Sequence, residues 1–218
     1  MFICISGIDG SGKTSTAAAL VDILQQEGHS AIFVKHNSTQ TRRPYANAQL
    51  QNLRKIQLQG LESPYNELPD LHWILLRGSY YAIIDHHVVI PALRAGDAVV
   101  ADGWFYKFAA RMASNGAHSM HEVLKHFDQV SDADHKFLLD VPPKVAATRL
   151  GTFNAGELGP KNIGTTSPME AFVEYQSEVR ENLINFARED KWTIISEPDA
   201  CASDIAADLY RHLKKSIR

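Results

Sequence analysis

The chain has 218 residues, of which 44% are hydrophobic and 22% charged, and its formal net charge is −3. These values exclude disordered, collagen-like and low-complexity classes, and the length suits one α/β domain with an insert. Basic and acidic residues are nearly balanced, so nothing indicates nonspecific nucleic-acid binding or an anionic membrane partner. With two cysteines and no apolar run of about 18 residues, we expect a cytoplasmic protein that is neither exported nor membrane-spanning.

Five short apolar runs predict β-strands, and helical patterns separate them. The first run, residues 2–6, is continuous and ends at Gly7, as in strands buried on both faces of a parallel sheet. The other predicted strands are 31–36, 97–102, 136–140 and 192–196. Helical spacing is found over 12–27, 47–59, 71–94, 106–113, 120–129, 145–150 and 169–189, and a last helix has Ser203 as its expected N-cap. This alternation predicts a three-layer α/β fold in which a five-stranded parallel sheet is flanked by helices.

Residues 151–168 interrupt the pattern with four glycines and two prolines. Connections longer than about 12–15 residues are usually functional lids or disordered segments. Helical patterns pin this stretch at both ends, which is what closure over a bound substrate requires. We therefore predict a single domain over 1–218 with a flexible lid over 151–168.

The residues after the first strand match GxxxxGK[ST], the pattern of a phosphate-binding loop (P-loop). They read Gly7-Ile8-Asp9-Gly10-Ser11-Gly12-Lys13-Thr14 and lie between a buried strand and an alanine-rich helix, the context that the motif requires. Glycines let backbone N–H groups turn toward phosphate oxygens at the positive end of a helix. The predicted ATP-binding residues are Gly7, Asp9, Gly10, Ser11, Gly12, Lys13, Thr14 and Ser15. Lys13 is expected at the β- and γ-phosphates and Thr14 at Mg²⁺.

The predicted strand over 97–102 ends in a carboxylate, Asp102. Ligands of open α/β sheets bind at the carboxyl ends of the strands, so Asp102 would lie near Thr14. There it could hold Mg²⁺ through water or activate an acceptor oxygen. Asp140 ends the next strand in the same way, but prolines that suit a helix start follow it, and we favour a capping role for its carboxylate.

A P-loop alone fits a GTPase, an ATPase motor or a kinase. The chain has no Asn-Lys-x-Asp guanine-recognition motif, which disfavours a GTPase, and a motor would usually be larger. A lid that excludes water favours phosphoryl transfer to an acceptor other than water, and hence a kinase.

Over nearly its whole length the sequence resembles the thymidylate kinase family of P-loop nucleoside monophosphate kinases. The resemblance rests on residues 2–14, 90–102, 137–142 with Arg149, and 172–175, in the family's order and spacing. It implies Mg²⁺-assisted transfer of the γ-phosphoryl of ATP to a nucleoside monophosphate, with dTMP the leading acceptor, and commonly a homodimer. It also implies that Asp9 holds the sugar 3′-hydroxyl and that Arg149, at the start of the lid, lies near the adenine and phosphates of ATP.

The sequence departs from the family at its arginines. The family follows the strand-end aspartate with an arginine that contacts the acceptor phosphate, whereas Gly103 stands here. A catalytic arginine is also missing, because position 10 is glycine and the lid contains none; Lys161 is the only lid cation and a candidate substitute. Lys107 and Arg111, one turn apart on the next helix, could reach the acceptor in place of the lost arginine.

The remaining acceptor-site candidates are less specific. Arg77 resembles the family arginine that contacts the acceptor nucleotide but lies about one helical turn early, and a solvated helix arginine is the alternative. Tyr81 and Phe105 could stack on a base, although aromatic residues at such spacing more often belong to a core. His36, at the end of the second predicted strand, completes the substrate-binding set.

The leading prediction is thus a dTMP kinase in which Lys13, Asp102, Arg149 and Lys161 are catalytic. The missing acceptor-phosphate arginine keeps open a kinase for a modified nucleotide, a nucleoside or another small acceptor. The arginine-poor lid keeps open a nucleotide-binding protein without catalysis.

Overall fold

The computed structural model describes residues 1–62, 67–160 and 166–214. Within these ranges the strands are β1 (Phe2–Gly7), β2 (Ala31–Val34), β3 (Ala98–Asp102), β4 (His135–Leu139) and β5 (Thr193–Ile195). The helices there are α1 (Lys13–Gln26), α2 (Pro44–Glu62), α3 (Asp70–Ile84), α4 (Ile90–Arg94), α5 (Tyr106–Ser114), α6 (Met120–Leu124), α7 (Pro143–Leu150), α8 (Ala155–Leu158), α9 (Pro168–Glu189) and α10 (Ala202–Leu213). A π-helical turn, Asp85–Val89, joins α3 to α4, and a 3₁₀ turn, Lys125–Phe127, follows α6.

The five strands form one sheet in the order β2-β3-β1-β4-β5, and every neighbouring pair is parallel. The predicted α/β fold with a five-stranded parallel sheet is therefore confirmed. β1 lies at the centre, where Ile5 aligns with Asp102 of β3 and Gly7 with Leu139 of β4. This register brings the start of the P-loop and the carboxylate of Asp102 to the same edge of the sheet, as expected of strands that all run in one direction.

The sheet separates two hydrophobic cores. Phe2 and Cys4 of β1 belong to the larger core, which includes residues of α5 and α9, whereas Ile3 and Ile5 face the core formed with α1 and α10. Side chains alternate between the two faces of a strand, so only a continuous apolar run can fill both cores. The sequence of β1 has this property.

Several predicted element boundaries were wrong. The single helix expected over 71–94 is divided by the π-helical turn. In this turn the Asp85 carboxylate accepts a hydrogen bond of 3.0 Å from the backbone N–H of Ser131. β2 ends at Val34, two residues before the predicted end. The N-cap of α10 is Cys201 and not Ser203, because Cys201 is the last extended residue and Ser203 already lies within the helix.

The segment predicted as a lid contains ordered structure in its first half. The one-turn helix α8 lies there, and its Glu157 carboxylate accepts a hydrogen bond of 2.9 Å from the backbone N–H of Asn154. Residues 161–165 lie outside the described residues, so Lys161 does too. Across the described parts of the chain, no helix combines the length and the apolar character needed to cross a membrane.

Candidate active site

The P-loop connects β1 to α1, and its backbone leaves no room for a side chain at Gly10. This residue has φ of +75°, and a Cβ there would lie 2.6 Å from the carbonyl oxygen of Ala146 on α7. Both the backbone conformation and the close contact require glycine. A larger residue at position 10 would require this loop to adopt a different backbone conformation.

The N-terminus of α1 is open to a ligand. The helix begins at Lys13 after Gly12, and no side chain within the described residues caps its first turn. Its N–H groups and the positive end of the helix dipole are therefore available to phosphate oxygens. Lys13 itself is buried, and its Nζ donates to the carbonyl oxygen of Ile8 at 3.0 Å, which holds the ammonium group over the loop.

Thr14 and Asp102 meet at the edge of the sheet, as the sequence predicts. The Thr14 hydroxyl donates to Oδ2 of Asp102 at 2.5 Å, and Asp102 is buried. The second carboxylate oxygen, Oδ1, has no hydrogen-bond partner among the described residues. A buried, unpartnered carboxylate oxygen beside a hydroxyl is the oxygen donor set that Mg²⁺ prefers, so these residues fit a magnesium ion.

A cavity of about 530 Å³ opens beside the P-loop, between α2, α3, α5, α8 and the turn after β2. This is an ordinary volume for a small-molecule site. Among the described residues that line it, the basic ones are Arg54, Arg77, Lys107 and Arg111, and the acidic ones are Asp9 and Glu157. The cavity thus has more positive than negative side chains and is suited to an anionic ligand.

Asp9 of the P-loop lies at the centre of this charged cluster. Its two carboxylate oxygens accept hydrogen bonds from Nζ of Lys107 and a terminal nitrogen of Arg111, and a third from Nε2 of Gln176 at 3.2 Å. Burial alone would raise the pKa of the Asp9 carboxyl, but the charges of Arg111 and Lys107 outweigh it and hold that pKa well below its usual value. Asp9 is therefore ionised at neutral pH.

Lys107 and Arg111 converge on one point because they lie one turn apart on α5. Burial, together with the charges of Lys13 and Arg111, lowers the pKa of Lys107 well below its usual value, although Asp9 acts in the opposite direction. Burial also opposes the charge of Arg111, but Asp9 raises the pKa of its guanidinium. Lys13, Lys107 and Arg111 all act electrostatically on Asp9, so basic groups outnumber this carboxylate at the centre of the cluster.

His36 and Arg77 also line the cavity. Burial, followed by the charges of Arg77, Lys107 and Lys13, lowers the pKa of His36 well below its usual value, which keeps the imidazole neutral at pH 7. Arg77 donates to Oδ1 of Asn37 at 3.0 Å, and its guanidinium lies 5.7 Å from the ring centre of Phe108. Arg77 therefore belongs to the cavity wall and is not a solvated helix residue.

The two aromatic candidates lie in the core. The Tyr81 hydroxyl donates to the carbonyl oxygen of Trp104 at 2.8 Å, and the ring of Phe105 stacks on that of Phe127 at 5.1 Å. Both are buried, and neither is among the described residues that line the cavity. The core alternative holds for both, since their rings already have partners that a base would have to displace.

The structure does not bring Arg149 to this cavity. Its side chain is exposed, and its guanidinium donates to the carbonyl oxygen of Pro198, in the loop between β5 and α10.

The capping role favoured for Asp140 is wrong. The N-cap of α7 is Pro142, and the Asp140 carboxylate forms a two-point ion pair with Arg180 at 2.6 and 3.0 Å.

Sequence reasoning missed Gln176, Arg54 and Glu157. Gln176 is fully buried on the face of α9 that also carries Phe172 and Val179. A polar residue at a position of an apolar helical stripe was the available signal, because such a residue must find hydrogen-bond partners inside the protein. Arg54 lies on α2 and Glu157 on α8. A charged residue on a helix does not by itself indicate a binding site.

Comparison with known protein families and sequences finds similarity to thymidylate kinases. The family model described as thymidylate kinase matches residues 5–202. A thymidylate kinase from Desulforapulum autotrophicum is 30% identical over 204 residues, covering 89% of this chain and 83% of the relative. Probable thymidylate kinases from Staphylothermus marinus (28% identity, 84% of this chain and 79% of the relative) and Pyrococcus horikoshii (24%, 99% and 97%) are also similar.

Proposed function

The chain belongs to the thymidylate kinase family, and we propose that it transfers the γ-phosphoryl group of ATP to dTMP, forming dTDP and ADP for nucleotide biosynthesis. The observation that carries the proposal is the placement of a complete P-loop against a cationic cavity. The loop provides a site for the donor phosphates, and the cavity next to it provides a site for an anionic acceptor.

The donor side is proposed to bind ATP through the P-loop and the first turn of α1. Backbone N–H groups and the helix dipole neutralise the phosphates, and Lys13 needs only to exchange the Ile8 carbonyl oxygen for a phosphate oxygen. Thr14 and Asp102 would hold Mg²⁺, which would neutralise charge on the β- and γ-phosphates when bound. Ser11 is buried with a hydroxyl that has no partner among the described residues, so it is free to meet a phosphate oxygen.

On the acceptor side, Lys107 and Arg111 are proposed to bind the phosphate of dTMP. Among the described lining residues, four are basic and two are acidic, an excess that matches the dianion of a phosphate monoester. A nucleoside would leave this positive charge uncompensated, so the cavity favours a phosphorylated acceptor over the nucleoside alternative.

These two residues also account for the missing arginine at position 103. Gly103 has φ of +81°, and its N–H donates to the carbonyl oxygen of Ile5 at 2.9 Å, so the backbone is held in a conformation that favours glycine. An arginine there would be strained. Two cations that reach the cavity from α5 supply the same charge without that strain.

Asp9 is proposed to accept a hydrogen bond from the sugar hydroxyl of dTMP. A carboxylate has about four acceptor positions, and Lys107, Arg111 and Gln176 occupy three. One position is left for a hydroxyl donor. With both nucleotides held in this way, positioning and charge neutralisation supply most of the catalysis, as is usual in phosphoryl transfer.

The test is release of ADP from ATP and Mg²⁺ across a panel that includes dTMP, other nucleoside monophosphates, thymidine and no acceptor. We expect turnover with dTMP to exceed that with every other acceptor. Lys13→Ala should remove turnover while the protein stays folded. Equal rates with thymidine and dTMP would refute the proposed reaction. A rate of ADP release that does not depend on the acceptor would also refute it.

The catalytic roles of Arg149 and Lys161, the homodimer and the cytoplasmic location remain predictions. Arg149 would have to leave the Pro198 carbonyl oxygen to reach a nucleotide phosphate. Size-exclusion chromatography with light scattering would test the dimer.

A further inference from the structure

Gln176 of α9 joins two separate parts of the site, the P-loop and α8, through three hydrogen bonds of one side-chain amide. Its Oε1 accepts from the backbone N–H of Asp9 at 3.3 Å, and its Nε2 donates to Oδ2 of Asp9 at 3.2 Å and to the carbonyl oxygen of Glu157 at 2.9 Å. The side chain is fully buried. Both donor hydrogens and the acceptor oxygen are thus used, and every partner is distant in sequence.

Two of these hydrogen bonds end on the same residue. Because the amide holds both the backbone N–H and the carboxylate of Asp9, it closes a ring that restricts rotation about the side-chain torsion of Asp9. Lys107 and Arg111 also bind the carboxylate, but both are basic side chains of α5 that a bound phosphate attracts as well. Gln176 is the uncharged partner in this set, and a phosphate does not compete for it.

The third hydrogen bond reaches α8, which contributes Glu157 and its neighbours to the cavity wall. The position of α8 is therefore tied to Asp9 through Gln176. An apolar residue would fit the same face of α9 with a smaller desolvation cost, since its neighbours Phe172 and Val179 are fully buried. Gln176 links α8 to the Asp9 carboxylate, and an apolar residue packed at the same position would not form this link.

We propose that Gln176 is a positioning residue that orients the Asp9 carboxylate toward the acceptor's sugar hydroxyl and holds α8 against the same carboxylate. This inference rests on the proposed function. Gln176 acts through Asp9 and does not itself touch the reacting atoms. Its effect should therefore appear in the use of the acceptor and depend on the presence of the sugar 3′-hydroxyl.

The experiment compares Gln176→Leu with wild type for two acceptors, dTMP and 3′-deoxythymidine monophosphate. We expect kcat/KM for dTMP to fall about tenfold, the value of one well-placed hydrogen bond, while the KM for ATP stays within about twofold. With the 3′-deoxy acceptor the fall should be less than about threefold. Ser177→Ala, the next residue on α9, is the matched control, because its exposed hydroxyl donates to the Val173 carbonyl oxygen of the same helix.

Equal losses with both acceptors, or no loss with dTMP, would overturn the inference. If the leucine variant does not fold, Gln176→Glu keeps the length of the side chain and places a repelling oxygen beside Oδ2 of Asp9, and the same two-acceptor comparison applies. In an Asp9→Asn background either substitution should lose most of its effect; full additivity would also overturn the inference. A wild-type enzyme that does not phosphorylate dTMP would instead refute the proposed function.

Discussion

Removal of the Lys107 charge is the most direct test of the acceptor site. In Lys107→Met the side chain keeps its approximate length and apolar stem and loses its ammonium group. Lys107 is only 6% exposed, so solvent cannot replace the lost group. Asp9 keeps Arg111 and Gln176 as partners, and we therefore expect the variant to fold.

The magnitude follows from the charge-assisted contact. A hydrogen bond to a charged partner contributes about 1.5–3 kcal/mol, which corresponds to a roughly tenfold to hundredfold lower kcat/KM for dTMP. The KM for ATP should change by less than about twofold, because Lys107 contacts Asp9 in the acceptor cavity. Initial rates at saturating ATP over a range of dTMP concentrations, and the converse, separate the two effects.

Lys125→Met is the matched control, since Lys125 is exposed on the 3₁₀ turn after α6 and lies outside the cavity lining. It should leave both KM values unchanged. The assignment of the acceptor phosphate to α5 would be wrong if Lys107→Met raised the KM for ATP and the KM for dTMP equally. It would also be wrong if the variant changed neither KM value.

Two further predictions concern the loop itself. The depressed pKa of Asp9 adds stability that is present above the pKa of the unfolded carboxyl and is lost as pH falls toward the folded value. The free energy of unfolding should therefore drop with pH below about 4 in wild type and less steeply in Asp9→Asn, measured by urea titration; parallel curves would contradict this reasoning. Gly10→Ala should destabilise the protein by about 1–3 kcal/mol, because its Cβ would lie 2.6 Å from the Ala146 carbonyl oxygen at a positive φ, and an unchanged thermal midpoint would contradict the contact.

Most of the fold could be predicted from the sequence, because its elements are encoded locally. The continuous apolar run of β1 and the alternation of strands and helices were sufficient for the parallel sheet. The boundaries that were wrong depend on distant partners. The π-helical turn within the predicted helix over 71–94 forms where Asp85 meets Ser131, which lies 46 residues away.

The donor half of the candidate site was also accessible from sequence. Gly10, Lys13 and Thr14 belong to one motif of eight residues, whose backbone shape follows from its own residues. Asp102 could be added because parallel strands bring their carboxyl ends to one edge, and its bond to Thr14 confirms the expected proximity.

The sequence by itself therefore determined the phosphate-binding loop, the parallel sheet and the family to which the chain belongs. Only the tertiary structure decided how the cavity beside the P-loop is charged. The spacing of Lys107 and Arg111 suggested a substitute for the missing arginine, but their convergence on Asp9, 98 and 102 residues away, depends on the packing of α5 against the loop. Gln176 reaches the same carboxylate from 167 residues away, and such contacts depend on helix packing that no local pattern encodes.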